Sequence, residues 1–241
     1  MEAGLFDVET VVARLEPGRH PHEAAHREAI DANWARRLAA NPHLYNGATV
    51  LGTGWRVAEK ALTLACRQVE YATLLHWIAT YGVGREDLPD RPRVPADQVH
   101  FFTNPVIVGS DGHVVMGRMA AHTYNAGKVY MPSGSFEPGD FSSGTADFCA
   151  NMRREVLEET GLDLARSSPA PGYRVYYGGN FLATFQVYRF AEPAASLAGR
   201  AAAFIADGGD GELSQILTVA PGETRPDMPR HVRAFMAAFT G

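Results

Sequence analysis

Arg154-Glu155-Val156-Leu157-Glu158-Glu159-Thr160-Gly161-Leu162 decides how the rest of the chain is read. Three carboxylates crowd five residues, and a glycine ends the run. On a helix, residues three or four apart share a face, which sets Glu155 beside Glu158 and Glu159. Adjacent anions repel. Gathered in a cleft, they give a hard cation such as Mg²⁺ the carboxylate oxygens it prefers, with substrate phosphate completing its shell. Gly161 suits the left-handed residue that closes a helix. Read without its surroundings, the same run is a solvated acidic helix end.

The surroundings bring in a family. Arg-Glu-Val-x-Glu-Glu-x-Gly-Leu, from Arg154 to Leu162, resembles the C-terminal half of the Nudix box, Gly-x5-Glu-x7-Arg-Glu-U-x-Glu-Glu-x-Gly-U with U aliphatic, at all seven defined positions. The N-terminal half departs from it. Gly134 followed by five residues puts Asp140 where the box has glutamate. Thirteen residues then separate Asp140 from Arg154 in place of seven, so six are inserted between Phe141 and Phe148.

The resemblance implies an α/β fold: the Nudix α/β/α sandwich on a mixed sheet, here preceded by an N-terminal α+β elaboration. It implies hydrolysis of the diphosphate linkage of a nucleoside diphosphate derivative, with Mg²⁺ or Mn²⁺ as cofactor and water attacking phosphorus. Glu155, Glu158 and Glu159 then resemble the metal ligands, and Arg154 the residue that pairs with a box carboxylate and orients the helix. Asp140 belongs to the box loop, Gly134 and Lys128 are candidates for substrate contact, and Glu212 and Asp210 are candidates for the general base. A shorter likeness, Asn33-Trp34-x-x-Arg37 followed by residues 41–47 (NPHLYNG), is similar to the front of the UDP-glucose diphosphatase branch, which points to a UDP-sugar. A homodimer is among the assemblies the family implies. The irregular box also leaves room for a non-catalytic nucleotide or nucleotide-sugar sensor.

Composition bounds the alternatives. The 241 residues are 46% hydrophobic, enough for a full core. A net charge of −5 excludes the basic footprint of a general nucleic-acid binder. Cys66 and Cys149 cannot build a disulfide framework and suit a reducing, cytoplasmic setting. The first twenty residues have no signal-peptide pattern, and no apolar run reaches the roughly 20 residues of a membrane span. His22-Glu23-Ala24-Ala25-His26 is a formal zinc-protease motif. Without a third ligand on a positioned helix it reads as an ordinary first helical turn.

Periodicity and turn residues place the elements. Leu5 to Leu15 alternates like a strand, Pro21 to Ala40 is helical, Ala61 to Tyr71 alternates, and Ala72 to Tyr81 is helical. Gly84 to Pro95 has the charged, proline-rich composition of a linker, which suggests a boundary between 1–98 and 99–241. Beyond it come a hairpin (Pro105 to Val108, Val114 to Met119), a strand from Gly127 to Pro132 and the loop Ser133 to Asp140. The acidic helix should start near Thr145 or Asp147 and stop at Gly161. Paired strands follow (Tyr173 to Tyr177, Phe181 to Phe190), then a helix (Ala194 to Ala206), a strand (Leu213 to Val219) and a closing helix (Met228 to Phe239).

Overall fold

The computed structural model describes residues 2–82, 92, 94, 95 and 97–241. Most of the expected linker, Gly84 to Pro95, therefore lies outside the described residues. The N-terminal part runs β1 (Gly4–Val8), β2 (Thr10–Leu15), α1 (Pro21–Ala40), β3 (Ala48–Ala58), β4 (Ala61–Glu70) and α2 (Tyr71–Tyr81). Next come β5 (His100–Val108), β6 (Val114–Met119), β7 (Val129–Tyr130), β8 (Phe141–Ser142), β9 (Thr145–Ala146) and α3 (Phe148–Thr160). The chain finishes with β10 (Ser168–Pro169), β11 (Tyr173–Tyr177), β12 (Phe181–Arg189), α4 (Ala194–Ala206), β13 (Leu213–Val219) and α5 (Arg230–Ala237).

The main sheet has eight strands in the order β1-β11-β12-β5-β6-β13, with β7 on β6 and β10 on β12. Its centre, β5 with β12, is parallel and the other pairings are antiparallel, so the sheet is mixed. Side chains alternate across it. Ile107, Val115 and Tyr188 face Met152 and Val156 of α3 and Leu197 and Ala201 of α4. Val106, Met116 and Phe185 face the opposite way, onto Val232, Phe235 and Met236 of α5. Helices cover both faces, which is the expected α/β/α layering. Among the described residues no helix is long and apolar enough to cross a membrane.

A second sheet of five strands, β3-β4-β2-β9-β8, packs beside α3. Leu62, Leu64 and Cys66 of β4 join Phe101, Phe136 and Phe148 in one core, and α2 covers the other face through Leu74, Trp77 and Ile78 against Leu51. Strand pairing crosses residue 98 in both directions. Near the N-terminus β1 adds to the main sheet beside β11, while β9, far along the chain, pairs with β2.

Several findings differ from the sequence reading. Residues 5–15, read as one strand, are split at Glu9 into β1 and β2, which join different sheets, and the strand read as Pro105 to Val108 begins at His100. Residues 48–58, given no element in that reading, form β3. Gly52 and Gly54 interrupt its alternation, and the register shifts between them as a bulge. A Cβ on Gly52 would lie 2.7 Å from Val99, so the close approach of the two sheets requires glycine there. The last helix starts at Arg230, two residues later than expected, because Pro229 takes the N-cap position.

Candidate active site

The acidic helix is held at both ends by local chemistry. The Asp147 carboxylate caps it by accepting from Ala150 N–H at 2.9 Å. Gly161 closes it at φ 66°, and a Cβ there would stand 2.7 Å from the Phe204 ring. Between the ends, Phe148, Asn151, Met152, Val156, Glu159 and Thr160 are buried at helical spacing. Three of these are polar, and Asn151 explains how the helix is aimed. Asn151, fully buried, accepts from Thr103 Oγ1 at 2.6 Å and donates to Asp140 at 3.0 Å, tying helix, β5 and box loop together. Sequence reasoning missed it, although a carboxamide on an apolar helix face is a readable signal.

The six extra residues are accounted for by β8 and β9. They form a hairpin over residues 141–146, turning at Ser143 and Gly144 with φ of 50° and 76°. Asp147 N–H donates to Asp140 O at 2.9 Å, so the chain leaves and re-enters at nearly one point. Asp140 can therefore reach Arg154 despite the insertion. The two form an ion pair at 3.1 Å, and Asp140 also accepts from Glu137 N–H at 2.9 Å. Arg154 further contacts Glu155 at 2.8 Å and Glu158 at 3.2 Å. One planar guanidinium thus binds three carboxylates, a task its fork of donors suits better than an ammonium would.

The three glutamates do not share one environment. Glu158 is 53% exposed at its side chain, whereas Glu155 is 13% exposed. Glu159 is buried; one oxygen accepts from Ser133 N–H at 3.0 Å, and the other, Oε2, is buried with no partner. Burial pushes Glu155 up to about 7; Arg154 pulls it down, and Glu158, Asp140 and Glu212 push it further up. Burial also holds Glu159 well above the ordinary carboxylate range, with the Ser133 N–H lowering it and Glu155, Glu212 and Asp210 raising it. Carboxylates that burial holds back from ionising are poised to gain a cation.

Among the described residues no three His, Cys, Asp or Glu side chains are grouped so as to hold a metal ion by themselves. Magnesium needs no such group. It keeps several waters and takes one or two carboxylates plus substrate phosphates. The unpartnered Glu159 Oε2, one turn from Glu155, fits that requirement, with Glu158 at the rim.

Glu212 lies close enough to act on the charges of Glu155 and Glu159, and Asp210 on that of Glu159. Asp210 Oδ1 accepts from Glu212 N–H at 2.9 Å, a turn that fixes the loop before β13. Burial raises both carboxyls, Glu212 further through Asp210. Gly134 sits against Glu155, since a Cβ there would fall 1.8 Å from the carboxyl carbon. Gly134→Ala should therefore push Glu155 aside and lower kcat/KM by at least about tenfold with the fold kept; steady-state kinetics with a melting curve check it, and unchanged kcat/KM would refute the contact. Lys128 is exposed just before β7, and no hydrogen bond or ion pair among the described residues joins its ammonium to the glutamates. The His22–His26 pair is not a zinc-protease arrangement. The helix is kinked at His26, and the His22 ring bonds His76 at 2.9 Å. Two open surface hollows, about 780 and 550 Å³, lie elsewhere, one along β1, β11 and the C-terminus and one beside Glu16 and Arg19.

No protein-family model matches the chain, and no curated protein matches it. Solved structures do. The MutT protein from Methanosarcina mazei Go1 is 19% identical, with a TM-score of 0.41 over 58% of this chain and 92% of that one. The Nudix hydrolase RenU from M. smegmatis is 12% identical, with a TM-score of 0.40 over 58% of this chain and 82% of that one. A bifunctional NMN adenylyltransferase/ADP ribose pyrophosphatase from Francisella tularensis, complexed with AMP and a Mn ion, is 14% identical at a TM-score of 0.41; the match covers 68% of this chain and 46% of that one. At such identities the chemistry has to come from this chain's own residues.

Proposed function

We propose that the chain is a Nudix-type diphosphatase that hydrolyses the diphosphate linkage of a nucleoside diphosphate derivative, using Mg²⁺ or Mn²⁺. The observation that carries this reading is Glu159: a buried carboxylate with one oxygen unpartnered, one helical turn from the similarly perturbed Glu155. Glu155 and Glu159 would hold the cation, with Glu158 at the solvent side. When bound, the cation would offset diphosphate charge and acidify the attacking water. Arg154, locked onto Asp140, fixes the orientation of the helix that presents these groups. Glu212 is the candidate base: burial and Asp210 raise its carboxyl above the ordinary carboxylate range, which makes it a stronger acceptor of a water proton. Water oxygen bonds to phosphorus, the bridging P–O bond breaks, and the second phosphate leaves with the electron pair. Within this class a UDP-sugar is the finer reading, supported by the pattern Asn33-Trp34-x-x-Arg37 with residues 41–47. Its setting would be the cytoplasm.

A panel of UDP-sugars, ADP-ribose and dinucleoside polyphosphates with Mg²⁺ or Mn²⁺, resolved by chromatography in ¹⁸O water, tests the proposal. We expect a nucleoside monophosphate and a phosphorylated partner, one of them carrying the label on phosphorus. Saturable binding without products would instead identify a nucleotide sensor.

A further inference from the structure

Trp34 and Arg37 are three residues apart on α1 and so share one face, and Asn41 is the extended residue that caps the helix just beyond it. Trp34 meets the ring of Tyr71 edge-on, with 6.5 Å between centroids. The Arg37 guanidinium stands 5.6 Å over the ring of Tyr124. Asn41 donates to the carbonyl of His122 at 3.2 Å. His122 and Tyr124 belong to the turn between β6 and β7, and Ala120, at its start, donates to the Glu212 carbonyl at 2.8 Å. Burial raises the Tyr71 phenol, with Glu212 raising it further and Arg37 lowering it, so both charges lie within its reach. One face of α1 therefore forms a wall beside the acidic loop.

That wall supplies what the acidic side lacks. Arg154 is engaged by three carboxylates, so a side-chain cation for the diphosphate, beside the metal ion, has to come from elsewhere. Arg37 Nε donates to Asn33 Oδ1 at 2.9 Å, and its two terminal nitrogens have no hydrogen-bond partner among the described residues. A guanidinium braced at one nitrogen and open at two matches a phosphate bidentately. Tyr124 is 50% exposed beside it, a large ring left uncovered where a planar group could stack.

We propose that Arg37 and Tyr124 form the nucleoside-side subsite: the terminal nitrogens of Arg37 bind the phosphoryl oxygens nearest the nucleoside, and the exposed ring of Tyr124 carries the base. The inference rests on the diphosphatase reading and adds the residues that select a nucleoside diphosphate. The plainer alternative is that Arg37 only pins α1 to the β6–β7 turn.

Titration calorimetry in Mg²⁺ separates these, with α,β-methylene-ADP, α,β-methylene-UDP and methylenediphosphonate as ligands. Arg37→Met keeps the aliphatic stem over the ring and should weaken all three by about ten- to a hundredfold. Tyr124→Ala should weaken the two nucleotides by roughly tenfold and leave methylenediphosphonate unchanged. Melting temperatures should stay near wild type. A lowered melting temperature with unchanged Kd in Arg37→Met would overturn the subsite, as would a wild type that binds none of the three. Turnover of the substrate panel is read separately. Hydrolysis with unchanged Kd sinks the subsite alone, whereas Arg37-dependent binding with no hydrolysis sinks the diphosphatase alone.

Discussion

Replacing Glu159 by Gln is expected to cut turnover by about a thousandfold while the protein stays folded. The substitution changes charge with almost no change in shape. Glu159 Oε1 accepts from Ser133 N–H at 3.0 Å, and the glutamine oxygen can keep that bond. The amide nitrogen then falls where Oε2 now lies buried and unpartnered. An NH₂ group there repels a cation that the carboxylate would bind, so the loss falls on metal affinity and on the water the metal acidifies. Folding should not suffer. Holding a carboxylate in that site without counter-charge is costly, and burial already keeps Glu159 well above its ordinary range. Kinetics and melting curves in EDTA and in Mg²⁺ check both halves. Wild type should melt higher with Mg²⁺, since ligand binding to the folded state stabilises it, and Glu159→Gln should lose most of that increment. Full turnover in the variant would remove Glu159 from the metal site and with it the main support for the hydrolase.

The acidic helix was legible because its signals are local. Asp147 and Gly161 mark its ends, and both act as caps in the structure. The same holds for α1, α4 and β13, whose bounds match the sequence reading. What sequence could not separate was Glu158 from Glu155 and Glu159. All three share a helical neighbourhood, yet which of them turns inward is decided by packing against Ser133 and Gly134, residues more than twenty positions away. The box insertion shows the same division. Its length was countable, but its harmlessness to the Asp140–Arg154 pair depends on one hydrogen bond, Asp147 N–H to Asp140 O, that closes the hairpin. The sharing of strands between two sheets was out of reach for a related reason. Glu9 separates β1 from β2, and its N–H donates to Lys60 O at 2.7 Å, a partner set by the β3–β4 turn rather than by anything near residue 9. Asp210 and Glu212 could be named from their loop, while their nearness to α3 follows from β13 pairing with β6.

His231→Phe is expected to make the protein more resistant to acid than wild type. The ring of His231 lies among Phe102, Tyr176, Phe181 and Phe185. Burial, reinforced by the neighbouring Arg230 charge, pushes it down to about 3. Below about pH 6.5 the unfolded chain therefore binds a proton that the folded chain refuses. Stability from the neutral ring is fully present above the unfolded pKa and is lost as pH falls toward the folded one. Between pH 7 and pH 4.5 the lost increment is about 3 kcal/mol, a sizeable part of the 5–15 kcal/mol that holds typical domains together. Phenylalanine removes the titration and suits the aromatic surroundings. The free energy of unfolding of His231→Phe minus that of wild type, from urea titrations, should rise by about that amount over the same range. Taking the difference matters because Glu155 and Glu159 act with the opposite sign. Their raised carboxyls favour the folded state below their folded pKa values and lose that benefit as pH rises through them. The wild-type curve alone is a balance of the two. His100, pushed down to about 4 by burial, adds to the acid loss in both proteins and cancels in the comparison. A difference that stays flat from pH 7 to 4.5 would mean that His231 protonates as easily folded as unfolded, so that its aromatic cage opens to water without unfolding the sheet beneath it.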